Sequence, residues 1–301
     1  MKAKICIIGP GVVGQATGKV FVKLGYKTVF LGGNPEKTKK LRKGGYTAYG
    51  RSELFNGSYD FDISMLTVPT PTIDGEINLS AIKSASIDLG KRLKLSKKDY
   101  HLVVVKSTVP PGTSKNIVAE MVEFYSGRKL GKGFGLCMNP EYLREKNAYE
   151  DGLNPRVILI GQHDKKSGDL LASVYKKFKC PIVRCSVQEA EFQKYIHNLF
   201  NAVKITFFNE MRQICQECKF DTKKIFDVTA QSAEGMWNSK YGIRNLGPFS
   251  GSCLPKDTKA FLHWVHKNGA SAPLLKTVIK INETLTQANG QVKKEVVGAD
   301  L

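Results

Sequence analysis

A doubly wound, mostly parallel α/β sheet followed by an all-helical region is the fold class that this 301-residue sequence predicts. Three observations carry it. Over the first 185 residues, short β-branched apolar runs alternate with longer amphipathic stretches, the spacing of βαβ units. A glycine signature opens the first helix. From about Val187 onward the strand pattern stops and one long helical period takes over.

The strands are expected at Lys4–Ile8, Thr28–Leu31, Ile63–Thr67, Leu102–Lys106, Phe134–Met138, Val157–Ile160 and Ile182–Cys185, each a β-rich apolar run between turn residues. Between them, helical periods cover Val12–Leu24, Pro35–Lys43, Leu79–Leu93, Ser114–Phe124 and Lys166–Phe178. Glu189–Phe220 reads as one helix, with Phe192, Ile196, Leu199, Val203, Phe207 and Ile214 near helical spacing. Further helices are expected around Asp221–Thr229, Thr258–Asn268 and Ala272–Gln287, with a Gly/Ser/Pro loop from Ser239 to Lys256. The expected domains are 1–186, binding a dinucleotide, and 187–301, helical.

Hydrophobic residues at 42% and charged residues at 24% exclude a disordered or collagen-like chain. No stretch approaches the roughly 18 uninterrupted apolar residues of a membrane span. The apolar run after Met1-Lys2-Ala3-Lys4 is too short for a signal-peptide core, which predicts a cytoplasmic protein. Seven cysteines, an odd number, fit free thiols there. Cys215 and Cys218 form a lone C-x-x-C in a helical pattern, without histidines or a second pair, so packing is expected and no metal. Lys plus Arg exceed Asp plus Glu by 19. The basic residues are scattered over helix faces, with no arginine-rich arm or aromatic-basic motif, so no nucleic-acid partner is expected.

Gly9-Pro10-Gly11-Val12-Val13-Gly14 matches G-x-G-x-x-G directly after a strand and before a helix. In that context Gly9 makes the tight turn and Gly11 lets a pyrophosphate approach the backbone. Gly14 packs helix on strand, with Val12 and Val13 opening the helix toward the phosphates. An acidic residue at the end of the second strand would hold the ribose of NAD. Gly32 stands there instead, with Lys37 and Lys39 just beyond, so NADP remains open beside NAD. Asn34 is a second candidate for the ribose.

Three further motifs fall just past strand ends: Val68-Pro69-Thr70-Pro71-Thr72, Ser107-Thr108-Val109-Pro110-Pro111-Gly112-Thr113 and Asn139-Pro140-Glu141-Tyr142-Leu143-Arg144-Glu145. Together with Cys253-Leu254-Pro255-Lys256-Asp257 and the helix segment Ala190–Asn198, they closely resemble the UDP-glucose/GDP-mannose dehydrogenase family. The resemblance runs from Gly9 to about Asn282. It implies NAD-dependent oxidation of a sugar-nucleotide primary alcohol to a carboxylate, in two hydride transfers, by a homodimer built on helix 189–220.

By resemblance Cys253 is the nucleophile, which suits a thiol able to hold an aldehyde as a thiohemiacetal. Lys194 and Asn198, one helical turn apart, would stabilise the oxyanion. Asp257, Thr108 and a water linked to Glu141 would assist proton transfer. The resemblance also implies Thr70, Thr108 and Glu145 at the cofactor, with Glu141, Tyr142, Leu143, Gly251 and Lys256 at the substrate.

Two local departures stand out. Where the family has G-F-G-G-x-C, this chain has Pro248-Phe249-Ser250-Gly251-Ser252-Cys253, which stiffens the turn. An arginine of the family's active-site loop is replaced within Gly235-Met236-Trp237-Asn238, leaving Arg244 to supply its charge. Family members also carry a third, C-terminal domain that grips the nucleotide, and this sequence ends at Leu301 ahead of it. A fragment and a short form both fit that length. Two other readings stay open: a single-step 3-hydroxyacid-type dehydrogenase, and a non-catalytic dinucleotide-binding protein.

Overall fold

The computed structural model describes residues 2–53, 59–243 and 247–298, the last ten of these as helical backbone. The chain divides into two compact units, Met1–His197 and Asn198–Leu301. The sequence places the boundary at Val187. The division falls later because Val187 and Ala190 are buried in the core of the first unit, so the opening turns of the long helix go with the sheet. Lys194 therefore belongs to the sheet unit and Cys253 to the helical one.

In the sheet unit the elements run β1 (Lys4–Ile8), α1 (Val12–Lys23), β2 (Lys27–Gly32), α2 (Pro35–Lys43), β3 (Ala48–Gly50) and β4 (Ile63–Leu66). A hairpin, β5 (Thr72–Ile73) and β6 (Glu76–Ile77), precedes α3 (Ser80–Lys94) and β7 (His101–Val105). A π-helical turn (Ser114–Ala119) leads into α4 (Glu120–Ser126), then β8 (Phe134–Met138) and α5 (Ala148–Leu153). The unit closes with β9 (Ile158–Gln162), α6 (Lys165–Tyr175), β10 (Ile182–Ser186) and the start of α7 (Val187–Glu217).

Among the described residues the main sheet has eight strands in the order β10-β9-β8-β7-β4-β1-β2-β3. All neighbours are parallel except β8 and β9, which meet antiparallel through Cys137–Gln162 and Met138–Gly161. Strand alternation sorts the apolar side chains onto two faces. Ile5 and Ile7 pack with Phe21 and Leu171 on one face, while Cys6 and Ile8 pack with Leu89 and Val122 on the other. Each fully buried Leu, Ile or Phe contributes about 1.5–3 kcal/mol. With both faces covered, the strand ends are what remains for a ligand. β1 has β2 on one side and β4 on the other, so successive crossovers turn in opposite directions there and leave a crevice beyond the carboxyl ends.

The second unit comprises the remainder of α7, α8 (Thr222–Ser232), α9 (Glu234–Trp237), α10 (Leu254–Lys267) and α11 (Pro273–Gly298). Ile214, Val265, Ala270 and Ala272 form its core, with Cys218 packed against them. Buried Glu210 accepts from the backbone N–H groups of Leu274 (2.7 Å) and Leu275 (3.2 Å), satisfying orphan donors of the first turn of α11. α10 begins at Leu254, four residues earlier than the sequence suggests, because Pro255 is tolerated in a first helical turn. Cys253 is therefore a helix cap rather than a residue inside a loop.

Candidate functional site

A cleft of about 610 Å³ opens at the crevice between β1, β2 and β4. Gly9 sits at φ +94°, and a Cβ there would meet Val68 Cγ1 at 2.7 Å. Only glycine suits that position. Thr67 Oγ1 donates to Ile8 O (3.0 Å) and Gly9 O (2.8 Å), pinning the turn, while Gly14 is so close to Thr67 that no side chain would fit. Gly11 faces open space, with nothing within 4 Å of where its Cβ would stand. An exposed backbone at the N-terminus of a twelve-residue helix with no acid in its first turn is a cradle for a pyrophosphate, so these residues fit a dinucleotide. Val12, Val13, Lys37, Thr70, Thr108 and Glu141 also line the cleft. Glu145 does not. It opens an exposed 3₁₀ turn, Glu145–Asn147, away from the lining.

The motif loops are tied to one another. Thr70 Oγ1 donates to Thr108 O at 2.7 Å, and Ser107 Oγ donates to Val68 O at 2.6 Å. The Thr70 hydroxyl is thus engaged in holding Thr108. Behind them, Lys106 is buried and donates to Asn139 Oδ1 at 2.8 Å, while Tyr175 donates to the same oxygen at 2.6 Å. Burial pushes the Lys106 ammonium down to about 8; Glu141 draws it back up and Lys194 opposes that. Lys194, itself buried, lies 3.2 Å from Glu141 Oε1 and donates to Glu141 O at 2.5 Å. The other carboxylate oxygen of Glu141 accepts from Leu143 N at 2.7 Å. Tyr142 donates to Gln193 Oε1 at 2.5 Å, and burial raises its hydroxyl to about 12. The sheet unit thus assembles Lys194, Glu141, Tyr142 and Lys106 beside the cleft end that holds Thr108.

In the helical unit, Cys253 caps the N-terminus of the fourteen-residue α10, at the positive end of its dipole. The thiol is exposed, 3.7 Å from Ser252 Oγ. Asp257 N donates to Cys253 O at 2.8 Å, and the Asp257 carboxylate is paired with neighbouring Lys256 on the surface. Gly251 adopts φ +86° and Gly247 φ +69°, whereas Ser250 is not in the left-handed region. Serine at 250 therefore costs the turn nothing, and the glycine that needs positive φ is retained. Asn282 on α11 accepts from Phe249 N (2.7 Å) and donates to Phe249 O (3.0 Å), fixing the segment that leads to Cys253.

Asn198 is exposed one turn beyond Lys194 on α7. Trp237 ends α9 and is exposed, and Arg244 lies outside the described residues. Among the described residues no His/Cys/Asp/Glu group is arranged to hold a metal, and no helix is long and apolar enough to cross a membrane. Three participants escaped the sequence reading: Lys106, Asn282 and Glu191, which is fully buried and accepts from Gly112 N and Ser114 N. Each stands inside or beside a motif, but only its distant partner reveals its use.

The model of the UDP-glucose/GDP-mannose dehydrogenase family, NAD binding domain, matches residues 50–179, and that of the family's central domain matches residues 188–284. GDP-mannose 6-dehydrogenase of Pseudomonas putida is 33% identical over 303 residues, covering 94% of this chain and 69% of that protein. UDP-glucose 6-dehydrogenase of Haloferax volcanii is 32% identical over 305 residues, covering 93% and 69%. The crystal structure of a ternary complex of GDP-mannose dehydrogenase from Pseudomonas aeruginosa superposes with a TM-score of 0.86 at 31% identity, over 94% of this chain and 69% of that one.

Proposed function

Because the chain belongs to the UDP-glucose/GDP-mannose dehydrogenase family, we propose that it is a nucleotide-sugar 6-dehydrogenase converting UDP-glucose, or a related sugar nucleotide, to the uronate. The observation that carries this reading is the buried Lys194 ammonium held 3.2 Å from Glu141 beside a dinucleotide cleft. A nicotinamide bound in that cleft supplies the hydride acceptor.

The chain's own groups do the rest. Negative charge develops on the sugar oxygen as the alcohol loses its proton, and again when the aldehyde is attacked. Lys194 and the Asn198 amide, one turn apart, are the donors assigned to that oxygen. Cys253 attacks the aldehyde carbon through Sγ, the carbonyl electron pair moves to oxygen, and that oxygen takes a proton to give a thiohemiacetal. After the second oxidation the adduct is a thioester. Water activated by Glu141 adds to the thioester carbonyl, and collapse of the tetrahedral adduct breaks the C–S bond, releasing acid and thiolate. Asp257 and Thr108 assist proton movement. Tyr142, Leu143, Gly251 and Lys256 are assigned to the substrate.

The protein acts as a homodimer through α7, in the cytoplasm, where its thiols stay reduced. Phe192, Ile196, Leu199 and Val203 form a stripe along α7, and each is half exposed or more. The experiment is product stoichiometry with UDP-glucose and with GDP-mannose. Two reduced cofactors per uronate support the reading; one per alcohol, or no turnover despite cofactor binding, contradicts it.

A further inference from the structure

The adenosine end of the cleft is built differently from a site for an unphosphorylated ribose. A free 2′-hydroxyl is usually held by a carboxylate at the end of the second strand. Here β2 ends at Gly32, and a Cβ on that residue would lie 2.9 Å from Cγ and 3.1 Å from Cδ of Pro10. The proline ring fills the space from which an acidic side chain would start. Gly32 and the Pro10 of the phosphate loop are a fitted pair. Beyond them, a Cβ on Gly33 would meet nothing within 4 Å, so the strand end faces open space. Asn34 Oδ1 accepts from Lys37 N at 3.0 Å, so this side chain is held as the cap of α2 and is neutral where a carboxylate would be expected.

Cations take the place of the missing acid. Lys37 from α2, Arg51 directly after β3 and Arg92 from α3 all line this end. Arg51 is anchored by Asp88 and by Ser84 Oγ (2.8 Å), and buried Arg92 donates to Arg51 O at 2.5 Å. Asp88, already bonded to Arg51, is the one carboxylate among the described residues that line this end. Glu141 lies at the other end, with Lys194. Among the described residues that line this end, Lys37 and Arg51 present cationic groups, which attract a phosphate more strongly than they hold a bare hydroxyl.

We propose that this subsite accepts a 2′-phosphate, so that the chain binds NADP(H) at least as tightly as NAD(H), with Lys37 and Arg51 meeting the phosphate. The inference rests on the dinucleotide-cleft reading of the proposed function, and it does not depend on which sugar is oxidised.

Binding titrations of NADPH and NADH, followed by nicotinamide fluorescence without any sugar nucleotide, test it. An equal or lower dissociation constant for NADPH supports the proposal. NADPH affinity should also fall more steeply than that of NADH as salt rises. Lys37→Ala should weaken NADPH about tenfold and leave NADH within about twofold. The paired variant Pro10→Ala/Gly32→Asp should shift preference to NADH, and a thermal melt of each variant confirms folding. A lower dissociation constant for NADH in the wild-type protein overturns this inference alone. Failure to bind either nucleotide overturns the cleft reading and this inference with it.

Discussion

The Glu191 carboxylate, wholly buried on α7, accepts the Gly112 backbone N–H at 2.5 Å and with its other oxygen the Ser114 N–H at 2.7 Å. Gly112 sits at φ +94°, at the bend that follows Thr108-Val109-Pro110-Pro111. Glu191 thereby ties the Thr108 loop to the helix that carries Lys194. Removing the carboxylate leaves two buried donors without a partner. Glu191→Ala should cost about 3 kcal/mol in urea denaturation, and Glu191→Gln about half as much. A loss below about 0.5 kcal/mol in the alanine variant would mean the loop is anchored elsewhere.

His101 gives the sheet unit a pH dependence with a definite sign. Its ring is buried between Phe61 O (2.9 Å) and Ser64 Oγ (2.9 Å), and burial lowers it from 6.5 to about 4. Arg128 and Lys98 push it further down, while the Phe61 carbonyl and Asp62 oppose the shift. The unfolded chain therefore takes up the proton first as pH falls. Stability is fully present above about 6.5 and is lost down to about 4, by about 3 kcal/mol. Urea midpoints at pH 7, 5.5 and 4.5 should show this slope in the wild type and a smaller one in His101→Gln. Equal slopes would show that the ring is not held neutral.

Burial and turn chemistry explain which parts could be read from the sequence alone. β1 and β8 match expectation to the residue because apolar runs bounded by turn residues mark both ends. The β5–β6 hairpin was missed although Asp74-Gly75 announces it: both residues have positive φ, the signature of a two-residue hairpin turn. β3 is only three residues long and carries no periodic signal. Gly9, Gly11, Glu141 and Lys194 were legible because motif context fixes their place. Lys106 and Glu191 were not, since their partners lie 33 residues away at Asn139 and 79 and 77 away at Gly112 and Ser114.

The stripe on α7 predicts association. Leu199 and Val203 are 57% and 55% exposed, one turn apart, a poor arrangement in water unless another surface covers them. Sedimentation should show a dimer for the wild type and a monomer for Leu199→Glu/Val203→Glu, with the sheet unit still folded. A wild-type monomer at micromolar concentration would remove the dimer from the account.

The Asn282 clamp predicts a separable effect in the helical unit. Asn282→Ala loses both bonds to Phe249, so amides between Gly247 and Ser252 should exchange with solvent about tenfold faster. Cofactor affinity should stay unchanged, because the cleft lies in the other unit. Unchanged exchange would mean the loop is held by other contacts.

A covalent bond between Cys253 and the sugar is read directly by mass spectrometry of the protein and its digest after a single turnover. Wild-type protein mixed with saturating sugar nucleotide and oxidised cofactor, then quenched in acid, should carry one sugar-nucleotide mass on the peptide containing Cys253. Cys253→Ser should carry none and should form no acid, because a hydroxyl attacks an aldehyde poorly and yields no thioester. Absence of any adduct in the wild type, with acid formed at a rate that Cys253→Ser matches, would mean that the oxidation does not pass through Cys253.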